Sequence, residues 1–141
     1  MSRILIESDL LLASIKKEDR LKPIAEKVLR EIDSGKLEGV YASTAAIQEM
    51  VFWFYNRQML NELVRAVNAI LHLRNVEWVA ITPEICLTAS IIINEYGVSP
   101  FDAYHIATAL QKDRTILSTE HVYDSIKGIR RIDPKELVEK L

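Results

Sequence analysis

Arg3-Ile4-Leu5-Ile6-Glu7-Ser8-Asp9 is the stretch that decides the fold. Its consecutive apolar residues are typical of a short strand that is buried on both faces, as strands of parallel sheets are. The run ends in two acids, Glu7 and Asp9, at the point where the chain would leave the sheet. In open parallel sheets, ligands bind beyond the carboxyl ends of the strands. The stretch therefore predicts a parallel sheet with acidic side chains at its functional edge.

Further short apolar runs continue this pattern along the chain, and amphipathic helical stretches separate them. Ser43, Thr82 and Ser99 are candidate N-caps of three of these helices, and Gly97 is a candidate left-handed C-cap. The predicted strands are residues 3–6, 39–42, 76–81, 115–118 and 129–132. The alternation predicts the α/β class, with a three-layer α/β/α architecture and a central parallel sheet of four to five short strands. With no linker-like segment, residues 1–141 are predicted to form a single domain.

Composition narrows the function without naming it. Lys and Arg total 18 against 20 Asp and Glu, a net charge of -2, so bulk charge does not make this chain a general binder of polyanions. The lone cysteine, Cys86, excludes an intramolecular disulfide and a cysteine-based zinc site, and we predict it to be a small core residue. The N-terminus does not resemble a signal peptide, and no apolar run reaches the roughly 20 residues of a membrane span. We expect a cytoplasmic protein.

Six acids follow the predicted strands or open the next helices, and a parallel sheet would bring them to one edge. They are Glu7, Asp9, Glu49, Asp102, Glu120 and Asp124. Converging carboxylates repel one another, and a divalent cation offsets that repulsion. Mg²⁺ prefers a few carboxylate oxygens and keeps several waters, which ionise more readily and can attack a phosphodiester. A net-acidic protein could in this way hydrolyse a polyanion.

Each acid also has a structural interpretation. Asp102 stands three residues after Ser99, as in a capping box, and the helix dipole favours an acid there. Glu49 could occupy a solvated helix edge, and Glu120 and Asp124 could cap a short helix. Glu7 and Asp9 could be ordinary turn residues. The shared position of the acids after successive strands is what favours a site.

Four segments of the chain together resemble the PIN domain family, in particular the VapC-type toxins of prokaryotic toxin–antitoxin pairs. The third segment is the most specific, with an Asp that opens an Ala-rich helix after a Gly-containing turn. The segments are residues 4–12, residues 43–50, residues 98–109 (VSPFDAYHIATA) and residues 116–124 (ILSTEHVYD). The resemblance implies a Mg²⁺- or Mn²⁺-dependent ribonuclease with a central parallel sheet, usually a homodimer, with an antitoxin protein as partner.

The resemblance also implies roles for individual residues. By position, the catalytic acids of the family fall on Glu7, Glu49, Asp102 and Glu120, all of which would also ligate the metal. Two further acids, Asp9 and Asp124, complete the implied metal-binding set. Glu stands at positions 7 and 120, where the family commonly has Asp, so a catalytically inactive PIN-like module that binds RNA or protein stays open.

A third possibility is a phosphoacceptor signalling domain, which shares the doubly wound architecture. It would require a tight acidic pair after strand one and a Lys after the last strand. Glu7 and Asp9 form a poor pair, and Lys127 precedes the fifth predicted strand. The sequence therefore favours the nuclease and the binding module.

Other side chains are candidates for contacts with RNA or with the acids. Lys16, Lys17 and Arg57 could bind phosphate, as could Arg20, Lys112 and Arg114, although a solvated surface explains each of them too. Ser118 and Thr119 could hold a metal-bound water or an acidic neighbour by hydrogen bonding. His105 follows Asp102 by one turn and could orient it or contact substrate, or be a packed or surface residue.

The run Phe52-Trp53-Phe54-Tyr55 places aromatic side chains on all sides of one helix. One helix cannot bury every face against one core, so part of the run is expected to meet a second surface. A homodimer interface or an antitoxin groove would fit, and we expect a charge at Phe54 to disrupt such an interface. Stacking on RNA bases is a less favoured alternative, since stacking residues usually lie in basic grooves.

Overall fold

The computed structural model describes residues 3–141, so the first two residues of the predicted domain lie outside it. The strands are β1 (Ile4–Ile6), β2 (Val40–Ser43), β3 (Val76–Val79), β4 (Thr115–Leu117) and β5 (Arg130–Ile132). The helices are α1 (Ser8–Ile15), α2 (Lys22–Asp33), α3 (Ala45–Asn56), α4 (Leu60–Leu71), α5 (Pro83–Tyr96), α6 (Pro100–Leu110) and α7 (Pro134–Glu139). A short 3₁₀ helix covers His121–Ser125.

All five strands pair in parallel, in the order β3-β2-β1-β4-β5. The α/β class and the parallel sheet predicted from the sequence are confirmed. β2 and β3 are added on one side of β1, and β4 and β5 are added on its other side. The strand order therefore switches between β1 and β4. In such folds the crevice at the switch point is where ligands bind.

The sheet separates two apolar cores because strand side chains alternate between its faces. Leu5, Tyr41 and Ile116 face α5 and α6, whereas Ile6 and Leu117 face the core formed with α1 to α4. Each of these five side chains is fully buried, and burying one Leu or Ile contributes roughly 1.5–3 kcal/mol. The predicted three-layer architecture follows from this alternation.

Helix boundaries mostly lie where the sequence signals predict them. Thr82 caps α5 by accepting from the backbone N–H of Ile85 at 3.2 Å, and Gly97 ends that helix with a φ of 70°. Ser99 caps α6 in the same way. The Ser43 hydroxyl accepts from the backbone N–H of Ala45, the first residue of α3, at 3.0 Å, so the capping predicted for Ser43 is confirmed. Thr44, between them, makes no side-chain cap bond, and Ser43 is also the last residue of β2.

The structure corrects two predictions about which side of a helix a residue occupies. Cys86 is exposed, because α5 turns Ile85, Ala89 and Ile92 to the core and Cys86 lies one residue off that face. Phe54 is buried at 3 % exposure, so a charge there would disrupt the core instead of an interface. Of the aromatic run, Phe52 and Tyr55 are the exposed members.

Candidate metal centre

The candidate site lies at the carboxyl edge, by which we mean the edge where the five parallel strands end. Ile6 pairs with Leu117, so Glu7 and Ser118 are the next residues of two adjacent strands. The backbone N–H of Glu7 donates to the Leu117 carbonyl at 3.2 Å, which keeps the two chains together as they leave the sheet. This is the switch point of the strand order.

Glu7 is the buried centre of this edge, with only 1 % of its surface exposed. Its Oε2 accepts from the backbone N–H of Asp9 at 3.3 Å, so the side chain folds back and caps α1. The hydroxyls of Ser8 and Ser118 lie 3.0 and 3.1 Å from its two oxygens. A Glu reaches one methylene further than an Asp, and this curled conformation takes up the extra length.

Asp9 connects the end of β1 to the loop after β4. Its Oδ2 accepts from the backbone N–H of Thr119 at 2.9 Å and from the Thr119 hydroxyl at 2.8 Å. The Ser118 hydroxyl lies 3.3 Å from the same oxygen. Ser118 and Thr119 are therefore hydrogen-bonded to acidic neighbours, and Asp9 holds the loop that carries Glu120.

Three of the predicted acids form one possible ligand group. One carboxylate oxygen from each of Glu7, Asp102 and Glu120 lies within 4.8 Å of the other two. Asp102 comes from the first turn of α6, where Ser99 accepts its backbone N–H at 3.4 Å. Its side chain does not complete a capping box, because Oδ1 instead accepts from the Tyr123 hydroxyl at 3.3 Å.

A second group shares Glu7 with the first. It contains Glu49 from α3 and His105 from α6, with ligand atoms within 4.8 Å of one another. His105 Nε2 lies 2.6 Å from Glu49 Oε1 and 3.8 Å from Glu7 Oε1. His105 thus contacts Glu49, not the Asp102 that the sequence suggested as one possible partner.

Burial and neighbouring carboxylates raise the pKa values of two acids at the carboxyl edge, Glu7 and Glu120. Burial, followed by the neighbouring carboxylates of Asp9, Glu120 and Glu49, raises the pKa of Glu7 well above its ordinary range. Burial and the charges of Asp102, Asp9 and Glu49 raise the pKa of Glu120 to about 7. Ionising both groups together therefore costs free energy unless a cation lies between them.

The donor set fits a hard divalent cation. Glu7, Asp102 and Glu120 offer carboxylate oxygens only, which suit Mg²⁺ and Mn²⁺ better than softer metals. Within residues 3–141, no Lys or Arg forms an ion pair with Glu7, Asp9, Glu49, Asp102 or Glu120. The nearest basic group of the cluster is the imidazole of His105, which carries a charge only when it is protonated.

Asp124 does not join either ligand group. Arg131 Nε donates to its Oδ1 at 2.9 Å, and His121 Nδ1 lies 3.0 Å from its Oδ2. These two partners lower the pKa of Asp124, the Arg131 hydrogen bond having the largest effect. The Arg131 guanidinium already neutralises this carboxylate, which argues against Asp124 as a metal ligand.

The basic residues predicted to bind RNA lie in and beside a groove at the carboxyl edge. The groove measures about 660 Å³, contains Asp9, Glu49 and Glu120, and is bordered by Lys16 and Arg20.

Lys16 and Arg57 both stack on the Trp53 ring. Lys16 Nζ lies 5.0 Å and the Arg57 guanidinium carbon 4.1 Å from the ring centroid. The exposed Lys17 lines the adjoining cavity with Lys16 and Trp53. The side chains named for phosphate contacts thus form a cationic, aromatic margin beside the acids.

Lys112 and Arg114 lie away from this margin, at the opposite end of the sheet. Both precede β4, and Lys112 Nζ is 3.7 Å from Glu77 of β3. A phosphate bound at the carboxyl edge would not reach them. Their assignment to an ordinary surface is therefore the better one.

Sequence reasoning missed the roles of three side chains. His105 is a core histidine that contacts two acids, Tyr123 is a buried phenol that donates to Asp102, and Arg131 donates to the Ser118 carbonyl at 3.0 Å. Burial, with the surrounding carboxylates, raises the pKa of Tyr123, so its hydroxyl stays a donor. Each partner is distant in sequence, so no local spacing signals the contact.

Comparison with known proteins agrees with this geometry. The PIN domain family matches residues 4–128. A comparison with curated protein sequences gave no match. No helix among residues 3–141 is long and apolar enough to cross a membrane.

Several solved structures share the fold at low sequence identity. DNA-bound VapBC from Salmonella typhimurium superposes with a TM-score of 0.71 at 14% identity, over 95% of this chain and 99% of that one. VapBC2 from Rickettsia felis, bound to a promoter DNA fragment, gives 0.70 at 10% identity, over 92% and 96%. VapC20 from Mycobacterium tuberculosis, a toxin that cleaves the sarcin-ricin loop, gives 0.69 at 17% identity, over 84% and 90%.

The parallel sheet, the acids at the switch point and the family match over most of the length lead to one assignment: the chain belongs to the PIN domain family.

Proposed function

We propose that this protein is a metal-dependent endoribonuclease that hydrolyses RNA phosphodiester bonds, and that it acts as the cytoplasmic toxin of a toxin–antitoxin pair. The observation that carries the proposal is the group of Glu7, Asp102 and Glu120 oxygens within 4.8 Å of one another, with no Lys or Arg among the described residues ion-paired to any of them. PIN domains are typically metal-dependent nucleases, and the VapC neighbours support the same chemistry.

The proposed ligands of Mg²⁺ or Mn²⁺ are Glu7, Asp102 and Glu120, with Glu49 as a fourth. When bound, the cation supplies Lewis acidity and an activated water for attack on phosphorus. Asp9, through Thr119, fixes the loop that carries Glu120. Tyr123 donates to Asp102 and so orients one of its oxygens. These contacts place the carboxylates before substrate arrives.

RNA is proposed to enter through the groove beside Lys16 and Arg20. The cationic margin formed by Lys16, Lys17 and Arg57 would hold the phosphate backbone, and Trp53 offers a face for a base. Phosphate contacts of this kind position a strand and carry no sequence information.

The test is cleavage of a pool of structured and single-stranded RNA by the purified chain, with Mg²⁺, with Mn²⁺ and with EDTA. Asp102→Asn keeps an oxygen that can accept from Tyr123 but removes the charge, so it should fold normally and lose at least ~100-fold in cleavage rate, the upper end for loss of a supporting contact at a metal site. Glu95→Gln, at an exposed acid of α5, is the matched control and should cleave like wild type.

Cleavage by Asp102→Asn at the wild-type rate would show that the site is wrongly assigned. Absence of cutting with either metal, together with no metal-induced rise in Tm, would favour the alternative, an inactive PIN-like module that binds RNA or protein. The Glu residues at positions 7 and 120 are the observation behind that alternative. A metal ion that binds only the folded protein must raise its Tm. The Tm measurement therefore distinguishes a site that binds no metal from a functional site that was given an RNA it does not cleave.

Partners are proposed from the apolar surface of α3 and α4. Val51, Phe52 and Val64 are 40 %, 56 % and 72 % exposed, and Phe52 also stacks with Phe101 of α6 at 5.8 Å. An apolar patch of this kind on a soluble domain marks a protein interface. We propose that it forms a homodimer interface, and that an antitoxin binds elsewhere on the helical surface.

Phe52→Glu places a charge on this surface without entering the core, unlike a charge at the buried Phe54. The variant should elute as a monomer in size-exclusion chromatography with light scattering, and it should retain the wild-type Tm at low protein concentration. Glu62→Gln on α4 is a neutral control on the same helix pair. An unchanged mass for Phe52→Glu would remove the dimer from the proposal.

A further inference from the structure

His105 is a buried histidine at the centre of the acidic edge, and the proposed chemistry does not use it. Its side chain has 0 % exposure, and it projects from α6 one turn after Asp102. Nε2 lies 2.6 Å from Glu49 Oε1 and 3.8 Å from Glu7 Oε1. A fully buried imidazole in contact with two carboxylates is a specific arrangement that packing alone does not require.

The surroundings of the ring fix where its hydrogen lies. Nδ1 is buried and has no hydrogen-bond partner among residues 3–141, whereas Nε2 faces the Glu49 oxygen. A buried N–H without an acceptor costs about 1–3 kcal/mol, so the hydrogen belongs on Nε2 and not on Nδ1. His105 is thus a donor to Glu49, in the tautomer protonated at Nε2.

The serine between the two acids explains why this donor is needed. The Ser8 hydroxyl lies 2.7 Å from Glu49 Oε1 and 3.0 Å from Glu7 Oε1, but it has one hydrogen and can donate to only one of them. His105 Nε2–H gives Glu49 a donor that does not depend on that choice. Oε1 of Glu49 is then occupied by the protein, and Oε2 is the oxygen left for a cation.

We propose that His105 is a positioning residue: its Nε2–H holds Glu49 beside Glu7 and directs the free oxygen of Glu49 into the metal centre. The inference rests on the proposed function. The helix α6 then contributes two residues to the site. Asp102 is itself a ligand, and His105, one turn later, orients Glu49 of α3. Outer partners of this kind typically affect metal affinity by about 10–100-fold.

The experiment compares three substitutions that differ in which ring atom they replace. The amide nitrogen of His105→Gln stands near Nε2, that of His105→Asn stands near Nδ1, and His105→Leu has no donor. Thr108→Val is the matched control, since Thr108 is equally buried one turn further along α6 and donates only to the Tyr104 carbonyl. For each variant, Tm without metal and the Kd for Mn²⁺ by electron paramagnetic resonance are measured.

The expected result is that His105→Asn and His105→Leu bind Mn²⁺ about 10–100-fold more weakly than wild type, whereas His105→Gln and Thr108→Val bind close to wild type. A merely structural role would lower Tm and leave Kd unchanged. Wild-type affinity in His105→Leu would overturn the inference and leave the proposed function standing. Failure of the wild type itself to bind Mn²⁺ or Mg²⁺ would overturn the proposed function and, with it, this role.

A second measurement does not depend on variants that fold. Nitrogen chemical shifts of the His105 ring in the wild-type protein report its tautomer directly. Protonation at Nε2 is expected, and a ring protonated at Nδ1 alone would overturn the inference because Nε2 could not then donate to Glu49. Hyperfine coupling between a ring nitrogen and bound Mn²⁺ would also overturn it, since His105 would then be a ligand.

Discussion

The two edges of the sheet treat their acids in opposite ways. At the amino edge, where the five parallel strands begin, Glu77 forms ion pairs with Arg3 and Lys112. Arg3 Cζ and Lys112 Nζ also lie 5.1 and 6.0 Å from the centroid of the Tyr41 ring. At the carboxyl edge, Glu7, Asp102 and Glu120 gather without a Lys or Arg partner among residues 3–141. The first edge carries Arg and Lys side chains that neutralise Glu77, whereas the second has no such ion pair and is suited to a bound cation.

This contrast separates structural acids from functional ones better than acidity alone does. An exposed ion pair such as Lys112–Glu77 contributes about 0–1 kcal/mol and needs no ligand. A buried carboxylate with a raised pKa, such as Glu7, opposes folding in its charged form and is retained where a cation is to be bound. Changes made to one edge should therefore leave the other unaffected.

The largest expected effect is loss of metal-induced stabilisation at one edge only. At a free Mn²⁺ concentration 100 times its Kd, wild type should gain about 2.7 kcal/mol, or roughly 6–12 °C in Tm. Glu7→Gln should lose this shift because it removes the ligand common to both groups, and Glu77→Gln, at the amino edge, should keep it. Differential scanning fluorimetry over a Mn²⁺ titration measures both. Equal loss in the two variants would contradict the distinction.

The next effect concerns the loop that carries Glu120. Arg131 donates to the Ser118 carbonyl and to Asp124, and its side chain is only 11 % exposed. Arg131→Met should lower the free energy of unfolding by about 1–2 kcal/mol, since it removes hydrogen bonds from a charged donor. Urea denaturation measures the loss, and Arg130→Met, at an exposed position of the same strand, is the control.

A substitution of Asp124 tests whether this residue is a metal ligand. If Arg131 already neutralises it, Asp124→Asn should leave the Mn²⁺-induced shift in Tm at the wild-type size. Abolition of the shift would make Asp124 a ligand and would extend the metal centre beyond the two groups described above. The sequence resemblance implied such a ligand, whereas the observed ion pair argues against it.

The raised pKa values also predict how stability depends on pH without metal. Both Glu7 and Glu120 have folded-state pKa values above those of the unfolded chain, and that of Glu120 is about 7. The folded state then binds more protons between about pH 4.5 and pH 7, so stability falls as pH rises through this window. Tm measured in EDTA should drop by a few degrees, and Glu120→Gln should flatten the curve. A Tm that rises with pH would contradict the assignment of these groups.

In the presence of metal the dependence should reverse. Binding requires both carboxylates to be ionised and therefore releases protons, so affinity should grow as pH rises from 5 to 8. Glu120→Gln separates the effects, because it removes one of the released protons. A Kd for Mn²⁺ that is constant over this range would show that neither raised group is a ligand.

Much of the fold follows from local signals in the sequence. Ile4-Leu5-Ile6 forms the strand buried on both faces that its apolar run predicts, and Thr82-Pro83 and Ser99-Pro100 begin helices in the structure as predicted. The acids that follow β1 and β4 then meet because parallel strands end at the same edge. Position in the sheet, and not sequence distance, brings Glu7 and Glu120 together.

The sequence alone does not predict which side chains from different helices and strands contact one another. Glu49 and His105 are 56 residues apart, and nothing near either signals a 2.6 Å contact. The predictions of a buried Cys86 and an interface-forming Phe54 were wrong for a related reason. When apolar residues occupy every face of a helix, the sequence does not show which face packs against the core. That choice is made by the packing of α5 and α3 against the rest of the domain.

The smallest expected effect lies at the amino edge and completes the comparison. Lys112→Met removes one exposed partner of Glu77, and Arg3 remains as the other. The free energy of unfolding should change by no more than about 0.5 kcal/mol, since exposed ion pairs contribute little and the methionine keeps the apolar stem over Tyr41. The Mn²⁺-induced shift should stay at the wild-type size. A reduced shift would mean that charge at this edge influences the metal centre, and the two edges would then have to be treated as one electrostatic unit.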